Sequence, residues 1–363
     1  MRLSDEFRDP ALVRDIAHRI QRFAGMQATI MEVCGTHTMA VARFGLKSLL
    51  PAGVSLISGP GCPVCVTDQR DIDRYLALGM QPGVTLACFG DMMRVPGSVT
   101  SLERLRAQGA DVRVVYSPMD AVEIARAESQ REVVFFGVGF ETTMPAVALA
   151  IKVASDERIG NFSVYCAHKT LPAALGVLLS SDEINISGLL LPGHVTTIIG
   201  SGAYDFIADK IGVTCAVAGF EPVDILLAVE AILTRLEQAT AAIDNAYPRA
   251  VRVEPNSRAA ELIGEVFVTC DALWRGLGCI PGSGVALAPK YAAHDACERF
   301  AAGLADVPPP KPTTCRCGEV LRGLIRPFEC PHFGRTCTPT APVGPCMVSS
   351  EGACAAAHRY EGA

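Results

Sequence analysis

Eight short apolar runs alternate with stretches of helical periodicity between residues 10 and 240, and this alternation limits the possible folds more than any other feature. The runs cover 29–33, 54–58, 84–89, 112–116, 133–138, 162–166, 188–191 and 214–218. Most are apolar at successive positions. A strand with one wet face alternates polar and apolar residues, whereas a strand buried on both faces does not. Helical stretches at 10–24, 39–49, 68–79, 99–108, 118–129, 143–154, 170–179, 203–211 and 222–240 flank or separate them. The pattern predicts an α/β fold of two Rossmann-like parallel-sheet domains, 1–118 and 119–250. An echo supports two related halves: Gly139-Phe140-Glu141 follows one run and Gly219-Phe220-Glu221 another. Beyond residue 248 the alternation stops. Residues 255–304 read as irregular and helical, and 307–312, rich in proline, as a stiff linker. The third expected unit, 251–363, ends in a cysteine-rich segment.

That segment holds six of the chain's 15 cysteines: Cys315, Cys317, Cys330, Cys337, Cys346 and Cys354. They lie among Gly, Pro and short polar turns, which cannot build much of a core. Soft thiolate ligands around a metal are the alternative means of folding it. The chain has a single C-x-x-C, at Cys62 and Cys65, so a Cys-four zinc ribbon is not supported. Widely spaced, all-thiolate ligands suit an iron–sulfur cluster, and a [4Fe–4S] cluster needs four of the six. In an extended chain Cys315 and Cys317 face opposite ways. One of them then falls outside the cluster and is free to pair with the other spare cysteine.

A net charge of −6 argues against nucleic acid as the main partner. No apolar run is long enough to span a bilayer, and the first residues lack the apolar core of a secretory leader. The expected location is the cytoplasm, where cysteines serve as ligands or reactive thiols more often than as structural disulfides.

In open parallel sheets ligands bind beyond the carboxyl ends of the strands. Those positions carry Cys34-Gly35-Thr36-His37-Thr38, Gly59-Pro60-Gly61-Cys62-Pro63-Val64-Cys65, Gly90-Asp91-Met92, Gly139-Phe140-Glu141-Thr142-Thr143, His168-Lys169 and Pro192-Gly193-His194. Taken singly, a strand-end Cys is usually a small buried hydrophobe and a lone His a satisfied hydrogen-bonder; recurrence at one rim favours chemistry. Cys34 is expected just before a helix beginning near Met39, with Thr36 or Thr38 as N-cap. A helix terminus and His37, as imidazolium or second ligand, would favour its thiolate. Both a nucleophile and a metal ligand fit this reading. Cys62 and Cys65 read as a dithiol redox switch in preference to half of a zinc site. No nucleotide-binding glycine loop is present.

These motifs, together with Pro192-Gly193-His194-Val195, Cys315-Arg316-Cys317-Gly318-Glu319 and Ser350-Glu351-Gly352-Ala353-Cys354, resemble the HypD family of [NiFe]-hydrogenase maturation factors over nearly the whole chain. The resemblance implies an assembly scaffold with redox activity, on which the Fe(CN)2CO unit of the hydrogenase is built. It implies a small HypC-type chaperone and a HypE-type cyanide donor as partners, and the hydrogenase large subunit indirectly. It implies Cys34 as the thiolate holding the iron, with His37 and nearby threonines orienting it or bonding cyanide. It implies Cys315, Cys330, Cys337 and Cys354 as [4Fe–4S] ligands, Cys317 and Cys346 as a spare redox pair, and Cys62 and Cys65 as a dithiol between cluster and iron. Glu141, His194 and Asp91 are then expected to line the cleft. The alternative from the residues alone is a free-standing iron–sulfur thiol/disulfide reductase; a zinc-stabilised binding protein is a third. The electron-relay reading requires the tail cysteines to approach the Cys62–Cys65 loop.

Overall fold

The computed structural model describes residues 6–362. All eight apolar runs are strands: β1 Ala28–Glu32, β2 Val54–Ser58, β3 Val84–Cys88, β4 Asp111–Val114, β5 Glu132–Gly137, β6 Phe162–Cys166, β7 Gly188–Pro192 and β8 Thr214–Ala218. A three-residue strand, β9 (Ile243–Asn245), joins them. They form two parallel sheets, one ordered β2-β1-β7-β8-β9 and the other β4-β3-β5-β6. The sheets therefore do not divide at residue 118. β1 and β2 pair first, the chain crosses to build the whole second sheet, and it returns at β7 to complete the first. A linear reading of strand–helix units sees each unit but not which sheet it joins.

Both faces of each sheet are covered, as the continuous apolar strands demand. In β7, Leu189 and Leu191 point into a central core while Leu190 points to an outer one, and all three are fully buried. In β1 the split is Met31 against Ile30. Each such side chain contributes about 1.5–3 kcal/mol by leaving water. The outer core of the first sheet is closed by the helices Pro10–Ile20 and Pro222–Glu237. That of the second is closed by Pro118–Ala127 and Met144–Asp156.

Within 255–304, residues 267–287 correct the expectation of irregular and helical chain. After a helix, Ser257–Val266, two long antiparallel strands follow, β10 (Phe267–Trp274) and β11 (Gly278–Leu287). Their turn uses Gly276 and Gly278 in left-handed conformation, which glycine adopts without strain. Scattered Gly and Pro in this stretch masked the strand pattern. The hairpin packs Trp274, Val285 and Leu287 onto the rest of the fold.

Chain 307–316 is free of helix and strand, as a proline linker should be. The tail beyond it is no separate bead. Cys317, Leu321, Phe333, Cys337, Cys346, Met347 and Cys354 belong to the same central core as Met31, Tyr75 and Leu189. No helix of the described residues is long and apolar enough to cross a membrane.

Candidate functional site

Each sheet has one point where strand order reverses, between β1 and β7 in the first and between β3 and β5 in the second. Such switch points open crevices at the carboxyl ends of the strands. Here the two crevices face each other and enclose one cleft of about 190 Å3. β1 contributes Cys34 and Thr36, β7 His194, β3 Asp91, and the loop after β5 Thr142 and Thr143.

Cys34 is the N-cap residue of the helix Gly35–Arg43, so that helix begins four residues earlier than expected and neither Thr36 nor Thr38 caps it. The amides of Thr36 and His37 favour its thiolate, but they are outweighed. Burial, then the nearby Glu351 carboxylate, pushes the thiol up to about 12. The surroundings of Cys34 thus favour the thiol over the thiolate. His37 is not an imidazolium. It is fully buried, with Nε2 2.9 Å from the Gly219 carbonyl, and burial holds its pKa down near 4. Its ring and that of His194 both stack on Phe220, at 4.9 and 3.9 Å. Of the two histidines only His194 lines the cleft.

Glu141 turns away from the cleft. Its Oε1 accepts the Leu171 N–H at 2.9 Å, tying down the helix Leu171–Leu179, and its Oε2 has no partner among the described residues. Burial raises its pKa to about 7. The folded state thus holds this proton more tightly than the unfolded chain. Stability falls as pH rises from about 4.5 to 7 and stays lower above that, by at most roughly 3 kcal/mol. Glu141→Gln should lose less stability than the parent between pH 5 and pH 8 in urea titrations; an equal loss would mean that Glu141 does not hold the proton. His168 is likewise buried beside Cys166, its Nδ1 3.6 Å from that sulfur, and Lys169 pairs with Asp71 at 3.6 Å. Neither reaches the cleft.

Cys62 and Cys65 are joined as a disulfide with Cα atoms 5.2 Å apart, both sulfurs buried behind the cleft wall. The loop bearing them lies against β1's exit: Gly35 donates its N–H to the Gly61 carbonyl at 2.9 Å. A methyl on Gly61 would collide with the backbone of Val33 and Cys34. Gly61→Ala must therefore displace the Cys34 turn. We expect a loss of about 1–3 kcal/mol, read as a lower urea midpoint; an unchanged midpoint would mean the two loops are not locked.

One cleft residue, and one neighbour of the Cys62–Cys65 pair behind the wall, were missed. Glu351, from the tail, accepts the Thr36 hydroxyl at 2.6 Å and lines the cleft. Ser349 meets Cys62 Sγ at 3.3 Å. The one signal in the sequence is the polar Ser349-Ser350-Glu351 set between Cys346 and Cys354. The strap between those cysteines runs past Cys62 and the start of the Gly35–Arg43 helix. A methyl on Gly35 would strike Glu351. The turn Pro345–Met347, which carries Cys346, packs against the turn Pro63–Val66, which carries Cys65.

All six tail cysteines line one small cavity with Phe333, Val343 and Met347. Cys315 and Cys317 do not face opposite ways, because the chain turns into the short helix Cys317–Leu321 at Arg316. The Cys317 thiol lies close to those of both Cys315 and Cys346, so proximity alone does not decide its pairing. Among the described residues no three His, Cys, Asp or Glu side chains close around one point as ligands of a single ion would. That does not count against a cluster, since each thiolate of a Cys-four cluster bonds a different iron. Burial and the combined fields of Cys315, Cys317, Cys337 and Cys330 push the Cys354 thiol far up. Thiols so crowded repel one another once ionised, and a positive centre relieves this. The donor set fits a [4Fe–4S] cluster.

The family model HypD, described as the hydrogenase formation hypA family, matches residues 11–361. The hydrogenase maturation factor HypD of Rhodobacter capsulatus is 45% identical over 373 residues, covering 100% of this chain and 99% of its own. That of Escherichia coli (strain K12) is 45% identical over 372 residues, covering 99% and 98%. That of Rhizobium leguminosarum bv. viciae is 44% identical, covering 99% and 96%.

Proposed function

We propose, on the premise that the chain belongs to the HypD family and acts in hydrogenase maturation, that it is the scaffold on which the Fe(CN)2CO unit is assembled. The observation that carries this is the position of Cys34, among the described residues the one thiol lining a cleft built from both switch points. The iron unit is cargo here, not a resident group. Cys34 supplies one soft thiolate, and a cysteine of a HypC-type chaperone entering the cleft supplies another. Thr142 and His194 are the cleft groups able to donate to cyanide nitrogen, the Thr143 hydroxyl being spent on the Phe140 carbonyl at 3.1 Å. Asp91 and Glu351, both raised above the usual carboxylate range by burial, are able to take up the proton that Cys34 gives up. A HypE-type partner brings cyanide to the same opening.

Cys315, Cys330, Cys337 and Cys354 would hold the [4Fe–4S] group, with Cys317 and Cys346 beside them. When bound, that group supplies electrons one at a time. The strap holding Cys346 and Cys354 lies against Cys62, which supports a role for the Cys62–Cys65 pair between tail and cleft.

The test is anaerobic co-purification with a HypC-type chaperone, followed by infrared spectroscopy. Cyanide- and CO-stretching bands are expected. A complex with intact iron and no such bands would remove the scaffold reading.

A further inference from the structure

We infer that Ser349 is a positioning residue that makes Cys62, and not Cys65, the sulfur left as thiolate when their bond is reduced. The inference rests on the reading of that pair as redox-active. A disulfide sulfur carries no hydrogen, so in the 3.3 Å contact of Cys62 Sγ with Ser349 Oγ the hydroxyl is the donor. The oxygen is itself oriented, because it accepts the Glu351 N–H at 3.2 Å and the residue is 1% exposed. A second donor, the Cys65 N–H, reaches the same sulfur at 3.2 Å. Among the described residues Cys65 Sγ receives no hydrogen bond. Two donors on one sulfur and none on the other give the bond a direction.

The balance is as follows. A dithiol reductant gives two electrons to the Sγ–Sγ bond and is oxidised to its own disulfide, releasing two protons. The bond breaks. One proton goes to Cys65, which becomes a thiol, and the other to solvent. Cys62 keeps the negative charge on its two hydrogen bonds, which are stronger to an ion than to a neutral sulfur. Ser349 lies on the strap between Cys346 and Cys354. The group that sets the polarity of the pair therefore belongs to the cysteine-rich tail, and a shift of the strap changes the Cys62 sulfur directly.

The experiment uses the full chain in two backgrounds, so that access to each sulfur is held constant. In a Cys65→Ala chain, Ser349→Ala should slow iodoacetamide alkylation of Cys62 on the order of tenfold, and Ser349→Thr should restore it. In a Cys62→Ala chain, Ser349→Ala should leave the rate at Cys65 unchanged. With both cysteines present, Ser349→Ala should move the equilibrium with dithiothreitol on the order of tenfold toward the disulfide. Equal slowing at both sulfurs, no slowing at Cys62, or an unmoved equilibrium overturns the role of Ser349 while leaving the pair redox-active. A pair that dithiothreitol does not reduce in the parent chain overturns the redox reading and the inference with it.

Discussion

Cys34→Ala should abolish the cyanide and CO infrared bands of the chaperone complex and leave the iron and acid-labile sulfide of the tail intact. Among the described residues no other thiol lines the cleft: Cys62 and Cys65 are tied to each other behind the wall, and the tail cysteines line a different cavity. The other polar groups of the cleft are hydroxyls, carboxylates and one imidazole, which hold low-spin ferrous iron less well than a thiolate does. The substitution removes only one sulfur from a site at the cleft floor, so its cost to stability should be small, about 1 kcal/mol. Loss of the bands with an unchanged melting curve would tie them to the thiol itself. Bands that survive in Cys34→Ala would mean that another residue holds the iron. A second arm checks the neighbouring carboxylate. Glu351→Gln keeps a partner for the Thr36 hydroxyl and removes the charge that raises the Cys34 thiol. The bands should persist in that variant.

The strands were legible because burial on both faces leaves an unmistakable trace, and runs such as 54–58, 162–166 and 214–218 match β2, β6 and β8 end to end. The carboxyl-end rule pointed to Cys34, His194 and Asp91, which line the cleft, since it depends only on knowing where strands stop. Pairing was not legible. Nothing local in 28–58 says that these strands join 188–245 instead of 84–166, because a parallel strand that is apolar throughout has no edge-specific signature. The same limit hid the cleft's second wall. His37 and Glu141 illustrate a different limit. Each lies in a rim motif, one residue or two from groups that do face the cleft, and a helix start or a loop turns its side chain inward to a backbone partner. Sequence position identifies the rim; the direction of a single side chain depends on backbone angles fixed by packing. Glu351 and Ser349 were invisible for a simpler reason: they approach Thr36 and Cys62 across more than 280 residues of chain.

If the tail holds the proposed cluster, Cys337→Ala should abolish its binding and, unlike Cys34→Ala, disturb both ends of the molecule. Cys337 is 7% exposed, and its sulfur accepts the Val343 N–H at 3.3 Å, which holds one turn of the tail in place. The regular elements around the cavity are three to five residues long: Cys317–Leu321, Pro327–Glu329, Pro345–Met347 and Ala353–Ala356. None is near the length at which a helix is stable by itself. Packing on the central core and, on the proposed reading, cluster binding would therefore supply the tail's folding free energy. Iron and sulfide should fall to background in Cys337→Ala, and brief proteolysis should cut within 315–354 while the sheets remain intact. Cys317→Ala and Cys346→Ala should retain the iron; the reverse pattern would exchange the ligand and spare sets. The strap that loosens also carries Ser349 to Cys62 and Glu351 to Thr36. Cys337→Ala should thus weaken the cyanide and CO bands as well, by releasing contacts that steady the Cys34 turn. The dependence runs one way. The cleft needs the tail to be folded, whereas the tail, packed around its own thiols, does not need Cys34.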